Sequence, residues 1–512
     1  MHDSIWMDEA WVANSVLAPT VHEMLFATKW TQSSPPLFLL AERGVAILGP
    51  SEPVLRLLPV AAGFAGLFLL VLVFDRWLSR SAAWLGLALL AGNYYFIKYC
   101  QQVKQYGTDF LVSALLLWLA KRYLEKRTRG NLVFLTLAGL VSLFLSYTAA
   151  FWLPTLILTG LFPVHKPPSG RRPHLSWMRA AAVALVLGSA LGSLYLLFIG
   201  PNRTSALARN FQSNYLDLRQ PITALLRTLS TLGILISTRP GLISVAVGGA
   251  AAVLMIIGVL RALSVWRNGD DRGALALLAG CLPPACAFAA GALALYPVLD
   301  YPRMLIFALP SLALLMGLGV DALLAVFKDR PADAAVPAVA ATLAIAGVLV
   351  SQFVFFHFPR PNEENRPAIA FLKSKVGPTD ILFIHGGMYE QYKYYRRLTG
   401  FHPGSVYVGN EQWPCCATGD RLDASSPSAP DFRSDLLAAA GLVKGNRLWF
   451  FFPAGLEGHW SAAFAGEIRS VPAIMSAKGC TRELRQLFGY TLVESYSCPV
   501  APPALTVLTT GG

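Results

Sequence analysis

The chain has 512 residues, of which 55% are hydrophobic and only 14% charged, with a net charge of +13 and a mean hydropathy of +0.51. Soluble globular proteins carry roughly 25% charged residues, so an ordinary soluble enzyme is excluded. The expected fold class is a polytopic α-helical membrane protein with a C-terminal α/β extracytoplasmic domain. The basic excess does not call for a nucleic-acid partner, because it is distributed over short loops between apolar runs.

Residues 1–53 contain no spanning run. The stretches "DEAWVANSVLAP" (8–19) and "PPLFLLAERGVAIL" (35–48) read as amphipathic helices too short to cross, with Trp6, Trp11 and Trp30 suited to a membrane–water interface. They are expected on the outer surface. Residues 1–20 have neither a basic leader nor an apolar core, so no signal peptide is expected. Apolar runs of roughly 17–20 residues cross hydrocarbon, and ten candidates recur at about 54–75, 82–98, 107–120, 131–146, 148–164, 179–199, 241–262, 274–296, 304–326 and 337–357. Lys and Arg gather in alternate loops, as in "KRYLEKRTRG" (121–130) and "RNGDDRG" (267–273), which places those loops in the cytoplasm. Both the amino-terminal segment and the tail then lie outside. The expected domains are 1–53 as an outer acidic loop, 54–357 as the transmembrane domain and 358–512 as a soluble α/β domain. In the tail, "DILFIHGG" and "NRLWFFFPAG" read as strands and "MYEQYKYYRRLTG" as a helix. Cys480 and Cys498 bracket a segment that reads as a short helix then a strand, and they are candidates for a disulfide. No CxxC or nearby histidine pair suggests zinc there.

Candidate chemistry gathers at the outer loops. Asp8 and Glu9 either cap a helix start or form a catalytic pair, and paired acids are also candidate ligands for a divalent metal. In "KYCQQVKQYGTDFL" (98–111), Lys104, Tyr106 and Asp109 meet the outer surface as Asp109 enters a membrane helix. Intramembrane acids face a site or a partner; Lys104 could be that partner. The outer loop 200–240 sets Arg203, Arg209, Arg219, Arg227 and Arg239 against the single acid Asp217. These arginines either meet lipid headgroups or form an anion-binding surface. The turn "YPVLDYPRML" (296–305) presents Asp300 and Arg303, where Arg303 either snorkels or grips a phosphate. Two carboxylates, several arginines and a tyrosine on one face suit a base and a phosphate clamp acting on a lipid-linked substrate.

The order "WMDEAW", "QSSPPLFLL", "SEPVLRLLP", "QYGTDFL" resembles the GT-C superfamily of integral-membrane glycosyltransferases, most closely the protein O-mannosyltransferase and aminoarabinose transferase branch. The resemblance covers roughly residues 5–125, with "YPRMLIFALPSLALL" fitting a later feature. It implies transfer of a hexosyl or pentosyl group from a polyprenyl-phosphate carrier to a lipid, glycan or protein acceptor on the outer side of the cell membrane. By the same resemblance Asp8 is the candidate base, Glu9 its second acid and Asp109 a further site acid. Arg303, with the arginines of 203–239, would hold the carrier phosphate. The family carries a transmembrane helix before the acidic pair, whereas this sequence starts at the pair: either its start is misassigned or truncated, or that helix is missing. The alternative function is a lipid or glycan flippase; inverted repeats and midplane charges, which would mark one, are not found.

Overall fold

A computed structural model describes residues 4–27, 34–162, 177–201, 211–237, 242–327, 363–409, 436–437, 439–440, 446–453 and 459–499, with only the backbone of 459–467. The expected span 337–357, the loop cysteines Cys415 and Cys416, and Arg203, Arg209 and Arg239 lie outside the described residues.

The chain divides into two compact units. One comprises residues 33–49 and 53–359, the other 1–32, 50–52 and 360–512. In the first, helices follow one another: α2 (Pro36–Ala46), α3 (Leu57–Phe74), α4 (Arg80–Ala91), α5 (Tyr94–Cys100), α6 (Tyr106–Glu125), α7 (Arg129–Leu145), α8 (Trp177–Leu194), α9 (Pro221–Ser237), α10 (Leu242–Arg267), α11 (Asp271–Ala292) and α12 (Leu309–Phe327). The helix α1 (Met7–Val16) belongs to the other unit.

Five described segments, Glu52–Phe74, Trp177–Ile199, Leu242–Arg267, Asp271–Ala292 and Pro302–Val326, are long and apolar enough to cross a membrane, and four shorter apolar helices accompany them. The protein is a mostly helical, multi-pass membrane protein with a small C-terminal sheet. Helix α9 lies within the stretch expected to be an outer loop; it packs against α10, where a Cβ at Gly233 would strike the Ser244 carbonyl, while Arg227 pairs with Asp300 in the turn at 300. Small residues let these helices meet backbone to backbone. A Cβ at Gly258 would collide with the Leu315 carbonyl, and one at Gly319 with the Leu254 carbonyl, so α10 and α12 touch through reciprocal glycines. A Cβ at Gly107 would likewise strike the Pro59 carbonyl, which locks the start of α6 onto α3.

The second unit holds α13 (Asn365–Lys375), α14 (Tyr389–Thr399), α15 (His459–Ala477) and a five-stranded sheet ordered β2-β1-β3-β5-β4. Strands β1 (Ile381–His385), β2 (Ser405–Gly409) and β3 (Arg447–Pro453) run parallel, and β4 (Thr481–Phe488) and β5 (Thr491–Ser497) add an antiparallel hairpin. Phe383, Phe450, Phe452 and Tyr496 fill the core. The segment expected to be a helix after Cys480 is therefore the strand β4. Its Arg482 and Arg485 reach across to the buried Glu494 of β5, so a helix-like run of charges serves as a charged sheet edge. A disulfide joins Cys480 and Cys498 at the open end of this hairpin. Helix α1 is not the surface helix expected: Glu9 to Val16 are all buried, and α1 packs against α14.

Candidate active site

In the membrane unit the site starts from a break in the chain. Helix α7 ends at Leu145, Ser146 is extended, and a short 3₁₀ turn covers Tyr147–Trp152. The break turns two hydroxyls onto the first turn of α6. Ser146 Oγ donates to Asp109 Oδ1 at 2.6 Å, and Thr148 bonds both that carboxylate and Ser146 Oγ, the latter at 2.9 Å. Asp109 is 5% exposed. The two hydroxyls satisfy the buried carboxyl group in the first turn of α6. The pairing with Lys104 weighed from the sequence is not formed; Asp109 is held by hydroxyls.

Around this acid lies an aromatic wall. Tyr99 stacks edge-on to Tyr106 at 5.3 Å, and Tyr95 lies parallel to Tyr99 at 5.9 Å. Tyr296 packs against Phe151 at 5.0 Å and donates its hydroxyl to the Met304 carbonyl at 2.9 Å. Asp109 and Arg303 both act electrostatically on Tyr296, and Arg303 also acts on Tyr99. The Arg303 guanidinium lies over the Tyr301 ring, 5.0 Å from its centre. Asp109, Tyr106 and Arg303, each singled out in the sequence, are thus gathered into one neighbourhood, with Lys104 half-buried in the turn just before α6.

Asp300 has a different setting. It adopts φ 64°, and its carboxylate pairs with Arg227, which also donates to the Ser213 carbonyl at 2.6 Å. The Asp300 N–H donates to Thr231 Oγ1 at 3.0 Å. This residue fastens the 296–303 turn to α9. Arg219 is exposed, its N–H capped by Asp217.

In the other unit, the acidic segment is held by the tail. The Ile5 N–H donates to the Tyr395 hydroxyl at 2.7 Å, and the Ile5 carbonyl accepts from Asn365 Nδ2 at 3.0 Å. Glu52 anchors the same spot, accepting from Tyr395 and pairing with Arg366. Asn14 Nδ2 donates to Glu390 Oε2 at 2.6 Å. Glu9 is buried, and its Oε2 accepts from the Trp6 N–H at 3.4 Å, which is the capping arrangement weighed from the sequence. Asp8 is half-exposed and acts on Glu363, a buried acid that accepts from Gln391 Nε2 at 3.0 Å, Asn365 Nδ2 at 3.2 Å and the Met7 N–H. Burial is the main cause that raises the Glu363 carboxyl above its usual range. Among the described residues no group of three or more His, Cys, Asp or Glu could hold a metal ion.

Sequence reasoning missed Ser146, Thr148 and Tyr296 in one unit and Glu363, Asn365 and Tyr395 in the other. "SYT" between two apolar runs was the available signal for the first group. The second group left none, since its members lie more than 300 residues from Asp8.

Comparison with known proteins gives the setting. Residues 33–192, which include Asp109, Ser146 and Thr148, match the family model described as dolichyl-phosphate-mannose-protein mannosyltransferase. The crystal structure of ArnT from Cupriavidus metallidurans bound to undecaprenyl phosphate aligns with TM-score 0.53 and 12% identity over 96% of this chain and 94% of that one. The chain has the ArnT fold. The apo form of ArnT aligns with TM-score 0.54 at the same identity and coverage. The Archaeoglobus fulgidus oligosaccharyltransferase, solved with zinc and sulfate, aligns with TM-score 0.47 and 13% identity over 91% of this chain and 65% of that one. No curated protein sequence matches significantly. The ArnT fold is a GT-C fold, the type that the sequence resembles.

Proposed function

We propose that the protein is a glycosyltransferase that moves a sugar from a polyprenyl-phosphate carrier to an acceptor hydroxyl on the extracytoplasmic side of the cell membrane. Residues 54–357 would supply the membrane domain and 358–512 a soluble outer domain, with ten crossings joining them. The observation that carries the reading is the buried Asp109, held by Ser146 and Thr148 and sharing Tyr296 with Arg303. Asp109, Ser146 and Thr148 sit in the segment matched by the mannosyltransferase model, on a fold whose ArnT example binds undecaprenyl phosphate.

Arg303 is the candidate for the carrier phosphate, its guanidinium matching two oxyanions while Tyr301 supports it. Asp8 is the candidate base, being the half-exposed member of the acidic pair, whereas Glu9 is taken up in capping α1. The acceptor hydroxyl gives its proton to Asp8, and its oxygen forms a bond to the anomeric carbon. The bond from that carbon to the phosphate oxygen breaks, and the lipid phosphate leaves with the electron pair. A single displacement inverts the anomeric centre. No step is routed through a metal, since Glu9 is occupied and no described cluster fits one.

The test uses membranes carrying the full chain and a labelled polyprenyl-phosphate sugar. Transfer is expected for the unaltered protein and to fall at least about 100-fold, the usual size of a general-base contribution, in Asp8→Asn. Arg303→Ala should raise the donor KM. Undiminished transfer by Asp8→Asn overturns the assignment of the base; absence of any transfer, with label instead moved across the membrane, overturns the reading as a transferase.

A further inference from the structure

A second cleft lies at the opposite end of the membrane unit from Asp109. Helix α11 starts at Asp271, in the wall of this cleft, and ends at Ala292, shortly before Tyr296; at 1.5 Å per residue its 22 residues span roughly 30 Å. The cleft has a volume of about 710 Å³ and is formed by the chain around Trp77 and Ser79, the end of α10 at Arg261, the start of α11 and the latter half of α12 at Asp321. Most of its wall is aliphatic, as at Ala262, Ala276 and Leu318.

Three polar groups in this wall lack a full set of partners. Asp270 and Arg272 satisfy each other, Nε to Oδ2 at 2.8 Å. Arg261 is exposed to the cleft and makes no hydrogen bond or ion pair among the described residues. The Trp77 indole N–H is buried with no acceptor among the described residues. Asp321 accepts from the N–H and the hydroxyl of Ser79, the N–H at 2.9 Å, but both donors are neutral, so its charge is matched by no cation among the described residues. The cleft therefore offers one guanidinium and one indole donor for an anion, one carboxylate for a cation, and hydrocarbon walls between them.

We propose that this cleft binds an aminophospholipid, with the phosphate on Arg261 and the Trp77 N–H, the primary ammonium on Asp321 and an acyl chain along Leu318 and Ala276. The charge pattern selects the headgroup. A purely anionic lipid would set its charge beside Asp321 with nothing to offset that carboxylate, and a choline headgroup has no N–H to donate to it. The position is appropriate, since a cleft between the ends of membrane helices lies where lipid headgroups are found, and its charges of both signs suit a headgroup carrying both. This inference does not rest on the transfer reaction.

Native mass spectrometry of the full-length protein, released from micelles and titrated with phosphatidylethanolamine, phosphatidylcholine or phosphatidylglycerol of matched chains, tests it. Phosphatidylethanolamine is expected to bind about tenfold tighter than either competitor, the value of one charge-assisted hydrogen bond. Asp321→Asn keeps an oxygen for Ser79 and should abolish the preference over phosphatidylcholine. Arg261→Gln, on an exposed side chain, should weaken all three lipids in parallel while leaving the order intact. Equal affinity for the three lipids in the unaltered protein overturns the proposal. So does an unchanged affinity in Arg261→Gln, or the absence of any retained lipid.

Discussion

Single side chains in this protein are placed for charge control in two opposite ways. Asp109 is satisfied by hydroxyls, whereas Glu42 of α2 is fully buried and neither of its carboxyl oxygens has a partner among the described residues. Burial pushes the Glu42 carboxyl up to about 8. The folded state thus keeps a proton that an unfolded chain releases near 4.5. Stability from this group is full below about pH 4.5 and is lost as pH rises toward 8, at up to about 1.4 kcal/mol per pH unit. Glu42→Gln, which cannot ionise, should match the unaltered protein near pH 5 and be more heat-stable at pH 8 and above. Thermal unfolding in detergent across that range checks the sign; a gap that is constant with pH would show that Glu42 titrates in the folded chain as it does in the unfolded one.

At the scale of elements, contact between helices depends on what is absent from a side chain. Gly107 stands two residues before Asp109 and lies against the Pro59 carbonyl with no room for a methyl group. Both partners are backbone, so neither swings aside. Gly107→Ala should cost about 2 kcal/mol or more through overpacking and a shifted helix, and should lower transfer by displacing Asp109 from Ser146 and Thr148. Melting temperature and transfer rate are expected to fall together, and an unchanged rate would dissociate Asp109 from the chemistry. Apolar runs made most of these helices legible in the sequence, because a long run has little else to become. The misreadings have physical causes. Arginines drew attention from α9, whose apolar face needs only one side of the helix, and β4 carries helix-forming charged residues because an exposed sheet edge tolerates them. Asp109 was singled out from the cost of placing an acid near hydrocarbon, and Arg303 because a guanidinium at that surface can grip a phosphate. Ser146 and Thr148 were invisible to that argument, since a lone hydroxyl in an apolar run is ordinary.

On the scale of the molecule, the amino-terminal acids and the tail form a single folded unit. Ile5 is joined to Tyr395 across 390 residues, Asn365 to Ile5 across 360 and Asn14 to Glu390 across 376. The tail is therefore a structural requirement for the acidic segment. A chain ending at residue 357 should remain in the membrane yet show no transfer, with the region around Asp8 readily cleaved by protease; retained activity would mean that Asp8 does not need this support. These separations also impose a timetable. The segment around Ile5 acquires its final neighbours only after some 390 further residues have been made, and such distant pairings close slowly. Every described candidate crossing, from Glu52 to Val326, is made before Asn365 and Tyr395 exist, so a copy whose synthesis stops short of them carries an acidic segment without its anchors.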